Sequence, residues 1–176
     1  MAETATKVRK KGAKTVAREY LEAIDRKDLD AAVAMWRPGA IDRFHGIADL
    51  VAPDDVRRYF KELFAAFPDW RMQVVDLTGS GNRAAVRWRA TGTFAGPGRF
   101  QGLVPTGASV EIEGCDMLSI EDEQIVENNA YMNGMQVAQQ LGVLPPAGSG
   151  AERVMTAAAN ARTGAGRLLR RALERD

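Results

Sequence analysis

The apolar residues of this chain change their spacing at Pro68, and that change decides what the chain can fold into. Before it they recur every three or four residues. Val16 and Tyr20 stand at i, i+4, with Ala17, Leu21 and Ile24 continuing the stripe; Leu29, Ala32, Val33 and Trp36 form a second stripe, and Val56, Phe60, Leu63, Phe64 and Phe67 a third. That spacing puts side chains on one face of a helix. After Pro68 the period is two, the spacing of a half-buried strand, in "RMQVVDLT", "RAAVRWRATGTF", "SVEIEGCDMLSI" and "QIVENNAYM". Helices first and strands afterwards is an α+β pattern. It predicts a conical barrel: N-terminal helices against a strongly curved antiparallel sheet, with a cavity between the layers.

Local signals set the boundaries. Asp28 is placed to cap the second helix, which Pro38-Gly39 ends; Pro53 opens the third, with Asp54 and Asp55 in its first turn. "AIDRFHGIADLVA" shows no period and reads as irregular. "GSGN" and "EDE" mark turns between strands, and a short helix spans Asn133 to Leu141. "GTFAGPGRFQGLVPTGAS" carries five glycines between Gly92 and Gly107 and reads as a mobile flap. Its Phe94, Phe100 and Leu103 would be buried by closing over an apolar ligand. Residues 1–14 are basic and aperiodic, a disordered arm. Residues 15–146 form the cone domain, and residues 147–176 a linker, "LPPAGSG", and a basic helical tail broken around Gly164 and Gly166. The tail is expected to be dispensable for the folded cone.

Charge narrows the function classes. The net charge is +1, but residues 1–18 hold six Lys/Arg against one acid, and residues 150–176 hold six Arg against three acids. The body between them is therefore acidic, which argues against a nucleic-acid-binding core. Apolar residues make up 45% of the chain, enough for a sizeable core. Cys115 is the single cysteine, which suits a reducing compartment; no apolar run has the length of a signal peptide or a membrane span, so a soluble, cytoplasmic protein is expected. With His45 as the single histidine, a zinc site of two or three histidines cannot form within one chain, and no phosphate-binding loop or nucleophile elbow is present.

Asp116 is the informative residue. By alternation, Val110, Ile112, Gly114, Asp116, Leu118 and Ile120 share one strand face, and Asp116 is its only charge. A carboxylate on an apolar face must be paired, hydrogen-bonded or protonated, and desolvation raises its pKa toward the range of a general acid or base. Asn128 and Asn129 lie in the next strand. A two-residue Asp122-Glu123 turn sets Asp116 opposite Asn129; a Glu121–Glu123 turn sets it opposite Asn128. Either register gives the carboxylate an amide neighbour. The structural alternative is a buried pair that only fixes register. His45 follows the second helix and is expected over the cavity mouth, as a base or donor, or else as a loop anchor. Trp36, Phe60, Phe94, Phe100 and Tyr131 are candidates for the cavity wall, with the core as the alternative.

"VAREYLEAIDRKDLDAAVAMW", "PDDVRRYFKELFAAFPDW" and "GTFAGPGRFQGLVPTGASVEIEGCDMLSIEDEQIVENNAYMNGMQVAQQLGVLP" together resemble the SnoaL-like polyketide cyclases, of the nuclear transport factor 2-like superfamily that also holds ketosteroid isomerase. The resemblance covers about residues 15–146. It implies an α+β cone with a hydrophobic pocket, a homodimer formed through the sheet, and aldol chemistry without metal or cofactor carried by a pocket Asp and His. On this chain those would be Asp116 and His45. The expected ligand is a small, largely apolar, carbonyl-containing molecule, and the alternative is a non-catalytic binding or interaction module of the same fold.

Overall fold

A computed structural model describes residues 10–173. Eleven elements follow in order: helices α1 (Ala13–Asp25) and α2 (Leu29–Ala34), strands β1 (Trp36–Phe44) and β2 (Ala48–Val51), helix α3 (Asp54–Ala66), strands β3 (Arg71–Ser80), β4 (Arg83–Thr93), β5 (Ser109–Glu121) and β6 (Gln124–Met132), and helices α4 (Gly134–Gln140) and α5 (Gly150–Leu173). The strands form one sheet in the order β2-β1-β6-β5-β4-β3. All neighbours are antiparallel except β1 and β6, which run parallel.

The α+β cone is as the period change requires. α1 buries Val16, Ala17, Tyr20, Leu21 and Ile24 against the sheet, and α3 buries Val56, Phe60 and Leu63. Asp28 caps α2, its side chain accepting from the Ala31 amide at 3.0 Å. Asn133 does the same for α4 through the Gln136 amide.

The sequence reading went wrong over residues 36–51. α2 stops at Ala34, and Trp36 begins β1 instead of closing the helix. The segment read as irregular supplies β1 and β2. Two features hid it. Pro38-Gly39 distorts β1, whose pairing with β6 shifts between Trp36 and Ile41; then the inward positions Ala40, Asp42 and Phe44 alternate with a carboxylate in the middle. A charge at an inward position breaks the apolar pattern on which strand recognition depends.

Two further expectations are corrected. α5 runs unbroken through Gly164 and Gly166, and its described residues are almost all exposed. Glycine inside an exposed helix carries a penalty of about 1 kcal/mol each, which alanine-rich neighbours can carry. The flap, in turn, is half rooted. The Gly96 amide donates to the Ala66 carbonyl at 3.0 Å, a Cβ on Gly96 or Gly98 would collide with Ala65, and Phe94 is buried and stacked on Phe67 with ring centroids 4.9 Å apart. Only the tip, where Phe100 and Leu103 pair with each other, stands over the cavity. On the other side of the mouth the Gln140 amide accepts from the Glu111 amide at 2.9 Å and donates to the Glu111 carbonyl at 3.0 Å, holding α4 to β5 beyond the end of β6.

Candidate functional site

Asp116 lies on the inward face of β5 with Val110, Ile112, Leu118 and Ile120, all buried. Gly114 sits directly opposite Trp88 of β4. A Cβ there would lie within 2.7 Å of three Trp88 ring atoms. The missing side chain lets the indole lie across β5, so that Trp88 Nε1 donates to Asp116 Oδ1 at 2.8 Å.

The neighbouring hairpin supplies the amide, in a register that neither sequence alternative contained. The turn is the two-residue Asp122-Glu123, both at positive φ, as a primed hairpin turn requires. Ile120 then faces Ile125 but Ser119 faces Glu127, so Val126 is an extra residue and the register slips by one. Asp116 comes to face Ala130, and Asn128 stands opposite Leu118. Asn128 points inward, is 1% exposed, and donates diagonally from Nδ2 to Asp116 Oδ2 at 3.2 Å. Asn129 faces outward.

Sequence reasoning missed a second carboxyl. Asp42 of β1 stands beside Asn128 in the parallel register, is 0% exposed, and accepts from the same Asn128 Nδ2 through Oδ1 at 2.9 Å. One amide nitrogen thus bridges two buried acids. Among the described residues Asp42 Oδ2, Asn128 Oδ1, the Tyr20 hydroxyl and Trp36 Nε1 are buried without a hydrogen bond of good geometry. The alternation Ala40, Asp42, Phe44 was the one signal that could have revealed Asp42.

The cavity between helices and sheet has a volume of about 320 Å³. Its walls are mostly aromatic and aliphatic, with Phe44, Phe60, Phe67, Trp70 and Phe100 prominent. Among the described residues Asp116 is the one acidic side chain that lines it; the tyrosines Tyr20 and Tyr59 line it too, and no described Lys, Arg or His does. Burial raises the Asp116 pKa to about 6, against the donors Trp88 and Asn128, which lower it. Burial, and after it the negative charge of Asp116, push Asp42 well above the usual carboxylate range, with Asn128 and then the Tyr20 hydroxyl opposing. Burial and then Asp42 raise both Tyr20 and Tyr59, so their hydroxyls stay protonated.

Of the residues singled out from sequence, Asp116, Phe60 and Phe100 line the cavity, and Asn128 sits behind it on Asp116. The others do not reach it. Trp36 is buried beyond Tyr20, edge-on to it at 5.7 Å. Phe94 packs under the flap root. His45 lies on the opposite side of the sheet: its ring stacks on Tyr131 at 4.2 Å, and its Nε2 is 3.0 Å from Asn129 Oδ1, which also accepts from Arg43 at 3.3 Å. Tyr131 is 46% exposed there. The reason is parity. Asn129 and Tyr131 alternate with the inward Asn128 and Ala130, and His45 follows the inward Phe44. Among the described residues no group of three or more His, Cys, Asp or Glu could hold a metal ion, and no helix is long and apolar enough to cross a membrane.

Known proteins share this architecture. AclR from Streptomyces galilaeus, named as a candidate hydroxylase, superposes with a TM-score of 0.65 at 27% identity, over 76% of this chain and 97% of its own. IdmH from Streptomyces antibioticus, named as a candidate polyketide cyclase, gives 0.61 at 26% identity over 73% and 96%. A protein of Kribbella flavida named as a candidate ketosteroid isomerase, at 15% identity and a TM-score of 0.53 over 69% and 77%, shares the fold alone. No curated protein matches the chain. The sequence profile of the SnoaL-like polyketide cyclases matches residues 14–141, nearly the whole cone, and the chain belongs to that family.

Proposed function

We propose that the cone binds a small, largely apolar carbonyl compound and acts on it by cofactor-free acid/base chemistry, as a cyclase or isomerase. The observation that carries this reading is Asp116: the one carboxyl lining an apolar cavity, with a pKa of about 6. At neutral pH such a carboxylate is mostly ionised, yet it is a stronger base than an ordinary aspartate. It would take a proton from the carbon next to the ligand carbonyl. The Tyr20 hydroxyl, buried, unpartnered and on the cavity lining, is the available donor for the oxygen on which charge develops. Asn128 and Trp88 hold the carboxylate between two donors. The pairing of a carboxyl base with a tyrosine donor in an apolar site has a precedent in ketosteroid isomerase, here as analogy. With no cation among the described residues of the lining, an uncharged ligand fits better than an anionic one.

A second reading is a non-catalytic binding module of the same fold. The placement of His45 favours it, because the histidine expected to share the proton transfers faces the other way. Deuterium exchange of ketone α-protons separates the two. A panel of small cyclic ketones should lose α-protons to D₂O faster with the protein than without it, and Asp116→Asn should slow that exchange on the order of a hundredfold. Ligands that bind and yet exchange at the uncatalysed rate would leave only the binding module. A homodimer, if formed through the sheet, would use the outward face that bears Met117 and Tyr131, both about half exposed.

A further inference from the structure

We propose that Asp42 is a positioning residue for Asp116: it keeps a proton behind the closed end of the cavity while Asn128 ties the two carboxyls together, so that the pair carries one negative charge and that charge sits on the carboxyl facing the ligand. The inference rests on the reading of Asp116 as the acid/base.

Three observations carry it. The first is proximity without a cation. Asn128 Nδ2 lies 2.9 Å from one carboxyl and 3.2 Å from the other, so their bonded oxygens are no more than about 6 Å apart. The groups that act on Asp42 from the packed elements are Tyr20 of α1, Tyr59 of α3, Asp116 of β5 and Asn128 of β6, with Trp36 of β1 beside Tyr20 and Trp88 of β4 on Asp116. None is a Lys, Arg or His. Two buried carboxylates at that distance cannot both ionise without a counter-charge.

The second is an asymmetry of donors. Asp116 receives two hydrogen bonds of good geometry, from Trp88 and Asn128; Asp42 receives one, from Asn128, and the Tyr20 hydroxyl acts on it only as a weaker donor outside that geometry. Negative charge settles where donors are most numerous. The third is what a proton on Asp42 would repair. Oδ2 is a buried acceptor with no hydrogen bond of good geometry, and the Tyr20 hydroxyl, also without one, is near enough for the two groups to act on each other's ionisation. A protonated Oδ2 is a donor, which such a neighbourhood can use. The parallel pairing of β1 with β6 fixes this arrangement by setting Asp42 level with Asn128.

Carboxyl ¹³C NMR of the full chain labelled at Asp, titrated from pH 4 to 9, reads the pair without any ligand. One buried carboxyl should titrate near 6, and a second should stay protonated well beyond it. Asp42→Asn replaces one neutral hydrogen-bonding group by another and should leave Asp116 within about half a pH unit of its wild-type value. Asn128→Ala removes a donor to the anion and should raise Asp116 by about one to two units, the scale of one charged hydrogen bond. In Asp116→Asn the Asp42 carboxyl should titrate lower than in the wild type, because the like charge is gone. A fall of more than one unit at Asp116 in Asp42→Asn would show that Asp42 had been the ionised partner, and would overturn the proposal even if Asn128→Ala failed to fold. An unchanged Asp116 in a folded Asn128→Ala would overturn it as well. Loss of ligand binding or proton exchange, with the titrations as expected, would instead overturn the acid/base reading and leave the carboxyl pair standing.

Discussion

Gly114→Ala is the smallest change that should reach the chemistry of Asp116 without touching it. The new methyl would lie within 2.7 Å of Cε2, Cζ2 and Cη2 of Trp88. Ordinary carbon–carbon contact is about 3.5–4.0 Å, so the indole must retreat by about 1 Å or more. Trp88 lines the cavity and can retreat into it, which keeps the loss of stability at the usual overpacking scale of about 1–3 kcal/mol. The same retreat stretches the 2.8 Å bond from Trp88 Nε1 to Asp116 Oδ1 past hydrogen-bonding range. A donor to a carboxylate contributes roughly 1.5–3 kcal/mol, equivalent to about one to two pH units. Asp116 should therefore titrate at about 7–8 in the variant, against about 6 in the wild type. Carboxyl NMR gives the titration and a thermal melt gives the stability. If the melting temperature falls while Asp116 still titrates near 6, the indole donor does not hold the carboxylate, and the account of its ionisation fails.

Further outcomes follow from the same structure. Burial raises Asp116 on folding from 3.8 to about 6, so its ionised form opposes folding: the penalty is absent below about pH 3.8, grows as pH rises and is complete above about 6, at roughly 3 kcal/mol. Asp116→Asn should accordingly gain stability over the wild type between pH 4 and 7, and parallel melting curves across that window would refute this. Phe100→Ala, on the flap tip, should weaken binding of an apolar fluorescent probe several-fold with a small change in melting temperature, because Phe100 is only partly buried and lines the cavity; unaltered affinity with a large stability loss would place it in the core. His45→Ala should leave probe binding and the Asp116 titration unchanged, since the ring packs on Tyr131 across the sheet. Ending the chain at residue 148 should shift the melting temperature by a few degrees at most, as α5 buries nothing among its described residues; aggregation would show that the helix covers something.

The sequence disclosed what obeys a period. The helices on Val16–Ile24 and Val56–Phe67 and the inward face of β5 follow from spacing alone, and the lone charge on that face singles out Asp116. What stayed hidden was whatever interrupts a period. The extra residue Val126 moved Asp116 from the asparagines to Ala130, and no local signal marks a bulge that leaves both strands apolar. Asp42 was missed for a related reason: it is an inward residue whose charge erases the alternation that would have identified its strand. His45 and Tyr131 went to the wrong face because their parity hangs on β1 and on that same bulge. Functional residues break patterns, so pattern reading is weakest where the site is.

β1 and β2 occupy their edge of the sheet only by way of β6, a strand that comes near the end of the cone. Asp42 and Asn128 are 86 positions apart in the chain. While the protein emerges from the ribosome, α1, α2 and α3 and the β1–β2 and β3–β4 hairpins can form from neighbouring residues, but the β1–β2 pair has no strand to join it to the rest of the sheet until residues 124–132 have been made. Closing a loop of that length is slow, and the parallel pairing spans the longest stretch of chain of any strand pairing in the sheet. The carboxyl pair is thus complete only once β6 is in place. Any fragment that stops short of β6 lacks Asn128, and with it the amide that ties the two buried carboxyls together.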